Sequence, residues 1–108
     1  MNTKAWGPSF WETLHFVSFG YPTNPDKNKQ MEYKQFYVSI ANVLPCIYCR
    51  QSYSKFLRIF PIDNYLSSRD HLTLWVYLVH CLVNQKLGIR NNPSFNSVKN
   101  KYEQYRAK

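Results

Sequence analysis

The segment "LTLWVYLVHCLV", residues Leu72–Val83, is the longest apolar run in the chain and decides the predicted fold. It is apolar nearly all round, which is typical of a helix that other elements enclose. The run is about half the length of a membrane-spanning helix and contains His80, so we predict no membrane span. Capping oxygens precede it and Gly88 follows it, which indicates a central helix from about Arg69 to Leu87.

The flanking segments also show helical spacing of their apolar residues. No segment shows sustained strand alternation, and the length suits one domain, residues 1–108. We therefore predict an all-α fold, a four-helix bundle with a short fifth helix. The other predicted helices run from Trp6 to a turn at residues 20–26, from about Lys27 to Val43, from Cys46 to about Ile59, and from Phe95 to Arg106.

Particular side chains are expected at the ends and faces of these helices. Pro8 is placed at the start of the first helix, where its missing N–H costs nothing. Ser67, Ser68 and Asp70 offer caps for the central helix. The buried faces are predicted to carry Met31, Phe36, Ile40 and Val43 on the second helix, and Tyr53, Phe56 and Leu57 on the third.

The composition is basic and aromatic. There are 14 Lys and Arg residues against 6 Asp and Glu, a formal net charge of +8, with 9 Tyr, 7 Phe and 3 Trp. Such charge suits an anionic ligand, an acidic protein partner or nucleic acid. At the N-terminus, Gly7, Pro8, Ser9 and Glu12 interrupt any apolar core, so we predict no signal peptide.

The pair Cys46-x-x-Cys49 follows Pro45 directly and admits three interpretations. A zinc site needs four ligands, and the other candidates, Cys81, His15, His71 and His80, repeat no zinc-finger spacing. A purely structural disulfide would close too short a loop to stabilise the fold much. A redox pair is favoured, because a helix N-terminus stabilises a thiolate. Helical periodicity on both sides argues against a thioredoxin fold.

The placement of Cys46 affects its chemistry. Lowering a thiol pKa from about 8.5 to about 7 raises the thiolate fraction at neutral pH from roughly 3% to roughly half. Two further pairs of polar or aromatic residues, each four apart, lie on the first and fourth predicted helices: Trp11 with His15, and His80 with Asn84. Each pair alone is compatible with an ordinary core position. Together they could sandwich a planar, polar cofactor.

As an ordered set, these residues resemble the flavin-linked sulfhydryl oxidases of the Erv/ALR family, over nearly the whole chain. The matching motifs are Trp6-Gly7-Pro8 with Trp11, Leu14-His15, Tyr21-Pro22, Pro45-Cys46-x-x-Cys49, Trp75, and "HCLVNQKLG" from His80 to Gly88.

The resemblance implies a conical four-helix bundle, usually a homodimer, that binds FAD between its helices. Cys46 would exchange with incoming dithiols, and Cys49 would lie next to the flavin and pass electrons to it. Dioxygen would then reoxidise the flavin and give hydrogen peroxide. The basic residues among the implied contacts would suit the pyrophosphate. The implied cofactor-binding residues are Gly7, Trp11, His15, Cys49, His80, Asn84, Lys86, Lys99 and Tyr102.

The chain departs from the family pattern in three places. Cys81 replaces the first Asn of the common "HNxVN" motif, and we expect it to be a small buried apolar residue. The second, widely spaced structural disulfide is absent, as in the minimal forms of large DNA viruses. No additional shuttle cysteine pair is present, so a thiol-containing protein substrate or a thioredoxin-like carrier would have to reach Cys46 directly.

A basic helical nucleic-acid-binding module is the alternative function, motivated by the net charge, the aromatics and the tail "VKNKYEQYRAK", residues 98–108. No recognised nucleic-acid motif supports it. A protein without a signal peptide, and similar to viral members, is expected in the cytoplasm or at a virus assembly site, where an oxidase would serve a dedicated pathway.

Overall fold

The computed structural model of the chain describes residues 1–106, and the regular secondary structure of this part is entirely helical, without a strand. The predicted all-α bundle with a short fifth helix is confirmed. Helix two ends at Ser39 and continues as a 3-10 turn over Ile40–Asn42, and a second 3-10 turn spans Ile62–Tyr65. The five helices are α1 (Thr3–Phe19), α2 (Lys27–Ser39), α3 (Ile47–Ile59), α4 (Arg69–Lys86) and α5 (Phe95–Glu103).

Each of the five α-helices begins at a side chain that accepts a backbone N–H of the first turn. Ser68, one of the three expected candidates, caps α4 by accepting from the N–H of His71. Such caps satisfy donors that have no partner within the helix. At the other end, Gly88 has φ of +79°, a left-handed conformation that glycine adopts freely, which confirms it as the stop after α4. The N-caps are Asn2, Asp26, Cys46, Ser68 and Ser94.

Helix α4 is the centre of the molecule, as the apolar run predicts. Leu72, Trp75, Val76 and Val79 are almost completely buried. The indole N–H of Trp75 donates to the carbonyl of Phe60 at 2.8 Å, so this large side chain is buried without an unpaired donor. The central helix therefore offers a rigid face on which a site can be built.

Tyrosine hydroxyls connect the surrounding helices. The hydroxyl of Tyr37 on α2 donates to the carbonyl of Leu14 on α1 at 2.7 Å. The hydroxyl of Tyr53 on α3 donates to the carbonyl of Tyr37 at 2.6 Å. Because all three residues are buried, each bond satisfies a polar group that water cannot reach. Helices α1, α2 and α3 are thereby fixed relative to one another.

The predicted buried face of α2 is wrong in part, whereas that of α3 is confirmed. Met31, Phe36 and Val43 are exposed, and of the four residues expected inside only Ile40 is buried. Tyr37 takes their place in the core, and the partly buried Tyr33 packs against the same core. A tyrosine counts as polar in a periodicity pattern, yet here its ring is core and its hydroxyl is hydrogen-bonded.

The expected position of Pro8 is also wrong. Helix α1 begins at Thr3, so Pro8 lies inside the helix rather than in its first turn. Proline has no N–H, and the carbonyl of Lys4 therefore receives no bond from residue 8. The cap at Asn2, which accepts from the N–H of Lys4 at 3.0 Å, extends the helix one turn further toward the N-terminus than the sequence pattern indicates.

Helix α5 closes over α1 and α4. Its buried residues, Val98 and Tyr102, pack against Phe19 of α1 and Tyr77 of α4 in a small cluster separate from the main core. Among the described residues, no helix is both long and apolar enough to cross a membrane.

Candidate active site

The cysteine pair lies at the beginning of α3. Cys46 has an extended backbone, with φ of −152° and ψ of 124°, and is the N-cap residue rather than part of the first turn. Its Sγ accepts the backbone N–H of Cys49 at 3.3 Å. Pro45 precedes the cap. Because proline disfavours a helical conformation in the residue before it, Pro45 separates α3 from the preceding 3-10 turn. The sequence therefore brings both sulfurs to the positive end of the helix dipole.

The two thiols differ in acidity. The pKa of Cys46 is lowered, first by the hydrogen bond with the Cys49 thiol and then by the backbone N–H of Cys49. The pKa of Cys49 is raised to about 11, first because burial disfavours its charged form and then because it shares a proton with Cys46. Both side chains are partly exposed, Cys46 at the surface and Cys49 against the main core. Cys46 is thus the sulfur suited to attack from outside.

A cluster of aromatic and histidine rings forms between α1, α4 and α5. The indole of Trp11 stacks on the imidazole of His80 with centroids 4.2 Å apart and planes inclined by 3°. His15 Nε2 and His80 Nδ1 lie 3.0 Å apart, within hydrogen-bond distance. Tyr102 of α5 also stacks on His15, with centroids 5.1 Å apart. Four of the predicted cofactor contacts are therefore neighbours in space. The predicted sandwich is wrong for Trp11 and His80, because these two rings are in direct contact and leave no room for a planar group between them.

Both histidines of this cluster are held neutral. The pKa of His15 is lowered to about 4, chiefly by burial and then by electrostatic repulsion from protonated His80 and from Lys101. Burial likewise lowers the pKa of His80 to about 4. Neutral imidazoles can stack on a flat ring and can donate from one nitrogen while accepting at the other. The cluster is therefore suited to a planar group with polar edges.

Two buried polar atoms at this cluster lack a hydrogen-bond partner: Nδ1 of His15 and Nε1 of Trp6. Trp6 packs edge-on against Phe10, which in turn packs edge-on against Trp11. An unpaired buried donor or acceptor costs about 1–3 kcal/mol, so native proteins leave few of them. Their presence fits a site in which a bound molecule supplies the missing partners.

The remaining predicted contacts lie elsewhere or have other partners. Asn84 donates to the side-chain oxygen of Asn92 at 2.7 Å rather than joining His80 in one enclosed region, as the sequence had suggested. Lys86 donates to the hydroxyl of Ser52, and Lys99 lies 3.6 Å from the carboxylate of Asp70. A Cβ built on Gly7 would meet no atom within 4 Å, so the space beside this glycine is open.

Cys81 is not the buried residue expected. It is partly exposed and lines a cleft of about 580 Å³ together with Leu78, Gln85 and Arg90. The cleft lies at the C-terminal end of α4, where the helix leaves the core and the loop through Gly88 folds back on it. The hydropathy of "LTLWVYLVHCLV" could not show that one side of its last turn faces solvent.

Two residues of the cluster were given no role by the sequence. Trp6 contributes the unpaired indole nitrogen, and Lys101 places its ammonium 5.2 Å from the centroid of the Tyr102 ring. Trp6 belongs to the Trp-Gly-Pro motif that carried part of the resemblance, so its motif was a usable signal. Nothing in the basic tail distinguishes Lys101 from its neighbours. Within residues 1–106, no group of three or more His, Cys, Asp or Glu side chains could hold a metal.

The basic tail is less free than a nucleic-acid-binding segment would be. Arg106 forms a two-pronged ion pair with Glu103, at 2.7 and 2.8 Å, and Lys99 pairs with Asp70. Val98 and Tyr102 are buried. Residues 107 and 108 of the predicted tail lie outside the described residues. Two cations of the tail, Lys99 and Arg106, are thus paired within the chain, and the comparisons below give the nucleic-acid alternative no support.

An all-helical bundle with a Cys-x-x-Cys pair at one helix N-terminus and a stacked tryptophan–histidine cluster defines a thiol redox protein. The family model described as "Erv1 / Alr family" matches residues 8–105. The chain therefore belongs to the Erv1/Alr family, as its motifs had indicated.

Several known proteins are similar to this chain. One is a "Probable FAD-linked sulfhydryl oxidase" of Acanthamoeba polyphaga mimivirus, 38% identical over 89 residues, which are 82% of this chain and 62% of that protein. Another is the "FAD-linked sulfhydryl oxidase" of an African swine fever virus isolate, 30% identical over 92% of this chain and 81% of that one. The chain thus spans less than two thirds of the length of the first relative.

The fold also matches solved structures. The "Crystal structure of yeast Erv1 core" superposes with a TM-score of 0.88 at 26% identity, covering 99% of this chain and 88% of that chain. A structure described as the "FAD binding domain of Erv1 from Saccharomyces cerevisiae" superposes equally well, at 28% identity and 96% coverage of both chains.

Proposed function

We propose that this chain is an FAD-linked sulfhydryl oxidase, which forms disulfides in a dithiol protein and passes the electrons to dioxygen. The observation that carries the proposal is the pair Cys46 and Cys49 within an Erv1/Alr bundle, where the two thiols differ in acidity and Cys49 packs against the main core. Both side chains are partly exposed, and Cys49 is the one that contacts the core. This is the arrangement that a relay from outside to inside requires.

Four rings would hold the cofactor: Trp11, His15, His80 and Tyr102. The unpaired Nδ1 of His15 and Nε1 of Trp6 support this proposal, because a polar planar molecule would satisfy them. Lys101 lies beside the cluster, close enough to affect His15, and its ammonium suits a phosphate group. We further propose that Cys49, Gly7 and Asn84 contact the cofactor. Lys86 and Lys99 would contact it after leaving their present partners, Ser52 and Asp70.

The chain's own chemistry is thiol–disulfide exchange. A substrate thiolate attacks Sγ of Cys46 in the oxidised pair, the Cys46–Cys49 bond breaks, and Cys49 leaves with the electron pair. The second substrate thiol then attacks the mixed disulfide and releases Cys46. Its lowered pKa makes Cys46 the better leaving group in this second step. The substrate loses two electrons and two protons, and the cysteine pair gains them.

Cys49 is the inner sulfur. Its raised pKa makes its thiolate the more electron-rich of the two, which suits a donor that faces an acceptor in the core. When bound, FAD supplies the two-electron acceptor that dioxygen reoxidises to give hydrogen peroxide. The protein's part is to orient that acceptor beside neutral aromatic and imidazole rings and to keep water from its buried edge.

Partners and location follow from the same proposal. The substrate is a thiol-containing protein or a thioredoxin-like carrier, and the viral relatives support action in the cytoplasm or at a virus assembly site of an infected cell. We also propose a homodimer. The exposed apolar side chains of α2, Met31, Phe36 and Val38, provide surface that a second copy could cover, and light scattering of the purified protein would measure the mass.

Oxygen consumption tests the function. Flavin-loaded protein given dithiothreitol should consume dioxygen and release one hydrogen peroxide per dioxygen. Cys46→Ser and Cys49→Ser should each abolish the catalysed rate, while Cys81→Ser, a matched change outside the pair, should retain it. Undiminished turnover of Cys49→Ser, or flavin-loaded protein that leaves dithiol and dioxygen unconsumed, would contradict the proposal.

A further inference from the structure

The redox pair lies in a part of the chain without negative charge. From Tyr33 to Ile62 there is no Asp or Glu, whereas the same residues include four cations. The acidic residues of the chain are Glu12, Asp26, Glu32, Asp63, Asp70 and Glu103. The cations of the acid-free stretch are Lys34, Arg50, Lys55 and Arg58.

Most of this positive charge is uncompensated. Lys34 pairs with Asp63 at 2.5 Å, but within the described residues Arg50, Lys55 and Arg58 on α3 have no carboxylate within ion-pair distance. The guanidinium of Arg50 donates to the carbonyl of Leu44, which is neutral and leaves the charge in place. Elsewhere in the described residues, Lys29, Lys99 and Arg106 each have an acidic partner, and the remaining cations do not, so it is the absence of any acid along residues 33–62 that distinguishes α3.

A groove of about 450 Å³ runs beside this charge, between α3 and the 3-10 turn at Ile40–Asn42. Its α3 wall follows helical spacing, so it forms one continuous face that begins next to Cys46. Two of the three unpaired cations, Arg50 and Arg58, lie on that face, and Lys55 does not. The lining residues are Ala41, Asn42, Ile47, Arg50, Gln51, Ser54 and Arg58.

We propose that this groove docks the substrate, and that the substrate is a protein segment with Asp or Glu residues near its reactive cysteines. The inference rests on the proposed function, since it takes Cys46 as the sulfur that the substrate must reach. Charge complementarity identifies the ligand as anionic. A protein segment fits better than nucleic acid, because the α3 wall of the groove begins at Ile47, the residue after Cys46, and the partner must bring a thiol to Cys46.

The dimensions set where the substrate's acids should be. Arg50 and Arg58 are four and twelve residues from Cys46, or about 6 and 18 Å along a helix. An extended peptide rises about 3.3 Å per residue. Consider a substrate segment that lies in the groove with one cysteine at Cys46. Acidic residues about two and five positions from that cysteine would then place their carboxylates near the two arginines.

The rim of the groove indicates a second preference. Val43, Ile47 and Tyr48 beside the cysteines are 69%, 55% and 76% exposed. Exposed apolar side chains grouped at a reaction centre are typical of a surface that a partner covers. Residues immediately next to the substrate cysteine should thus be apolar, with the acids further along.

Synthetic dithiol peptides test the proposal. Oxygen consumption by the flavin-loaded protein is measured with two sets of dithiol peptides. One set carries Asp at two and five residues from the nearer cysteine, placed either before or after the dithiol, and the matched set carries Asn at the same positions. The Asp peptides should have a KM about two- to fivefold lower, with kcat little changed. The difference should shrink as salt is raised from 0.05 to about 0.5 M, because salt screens exposed charges.

A pair of variants locates the effect. Arg58→Gln should remove most of the Asp-over-Asn preference, whereas Lys55→Gln, the same charge change on the same helix but outside the groove, should keep it. Binding is read independently from fluorescence anisotropy of a labelled Asp peptide whose cysteines are replaced by serine, and Arg58→Gln should weaken it by a similar factor.

The outcomes separate this inference from the proposed function. Wild-type turnover of dithiothreitol reports on the oxidase itself. Turnover of dithiothreitol with equal KM for Asp and Asn peptides would overturn the docking site and leave the oxidase. Equal loss of the Asp-over-Asn preference in Lys55→Gln and Arg58→Gln would also overturn the docking site. So would displacement of the labelled serine peptide by a short DNA oligonucleotide as readily as by the unlabelled peptide, because either result would show a general attraction of anions.

Discussion

His15 and His80 share one proton across a 3.0 Å contact between Nε2 of the first and Nδ1 of the second. If His80 donated, the buried Nδ1 of His15 would carry an N–H without an acceptor. If His15 donates, Nδ1 is an unpaired acceptor, which costs less because a buried orphan N–H is the rarer and less tolerated case. We infer that His15 donates and that its Nδ1 lone pair is available to a donor on a ligand.

Acid should destabilise the protein through these histidines. Their pKa values are about 4 in the folded chain, against 6.5 ordinarily, so the unfolded chain binds protons first as pH falls. The free energy of unfolding is therefore unaffected above about pH 7 and decreases from pH 6.5 toward 4. Allowing for the partial exposure of His80, the loss by pH 5 is on the order of 2 kcal/mol. Denaturant unfolding at pH 7.5 and 5.0 measures it.

Two variants assign that loss. His80→Gln should reduce the difference between the two pH values, whatever its effect at pH 7.5. His71→Gln should preserve it, since His71 is exposed and bonds only Ser67 and Ser68 at the start of α4. Equal pH dependence in wild type and His80→Gln would contradict the neutral histidine pair.

Cys46 should react with electrophiles before Cys49 does. Its pKa is lowered chiefly by the Cys49 thiol, while that of Cys49 is raised to about 11 chiefly by burial. Brief treatment of the reduced, flavin-free protein with iodoacetamide at pH 7, followed by peptide mass spectrometry, should find the label on Cys46. Preferential labelling of Cys49 would reverse the assignment of outer and inner sulfur.

The source of the Cys46 acidity can be tested by the same labelling at a series of pH values. Cys49→Ala removes the side-chain donor and should raise the midpoint for Cys46. Cys49→Ser keeps a hydroxyl donor and should raise it less. Equal midpoints in the two variants would indicate that the backbone N–H, rather than the side chain, sets the pKa of Cys46.

The buried tyrosine bonds should contribute measurably to stability. Tyr37→Phe removes the bond to the carbonyl of Leu14 without changing the volume of the core, and should lower the free energy of unfolding by about 1–2 kcal/mol. Tyr48→Phe, at an exposed position, should change it by less than about 0.5 kcal/mol. Urea unfolding monitored by circular dichroism compares the two. An unchanged free energy of unfolding in Tyr37→Phe would mean that this hydrogen bond makes no net contribution to stability.

The helices and the central element were predictable because local signals agreed. The apolar run of α4, its cap at Ser68 and its stop at Gly88 all indicate the same helix. Helix α2 was harder, since its core residues are tyrosines whose polarity conceals their burial. The first turn of α1 was missed because the short cap at Asn2 is a weaker signal than the proline that follows.

The candidate site was predictable in its residues more than in its arrangement. The motifs placed Trp11, His15 and His80 together, and their chemistry explains why they stack. Sequence spacing could not reveal that Asn84 turns toward Asn92, since that bond depends on how the loop after α4 returns. It also could not foresee the groove beside Arg50 and Arg58, which exists only because the 3-10 turn of residues 40–42 packs along α3.

Flavin content tests the central claim most directly. Protein purified after saturation with FAD should retain one FAD per chain through gel filtration. Anaerobic addition of excess dithiothreitol should then reduce the bound flavin by two electrons, which is seen as a loss of its absorbance near 450 nm. The colour should return on exposure to air. Protein that retains no FAD, or whose bound FAD stays oxidised in the presence of the dithiol, would contradict the account.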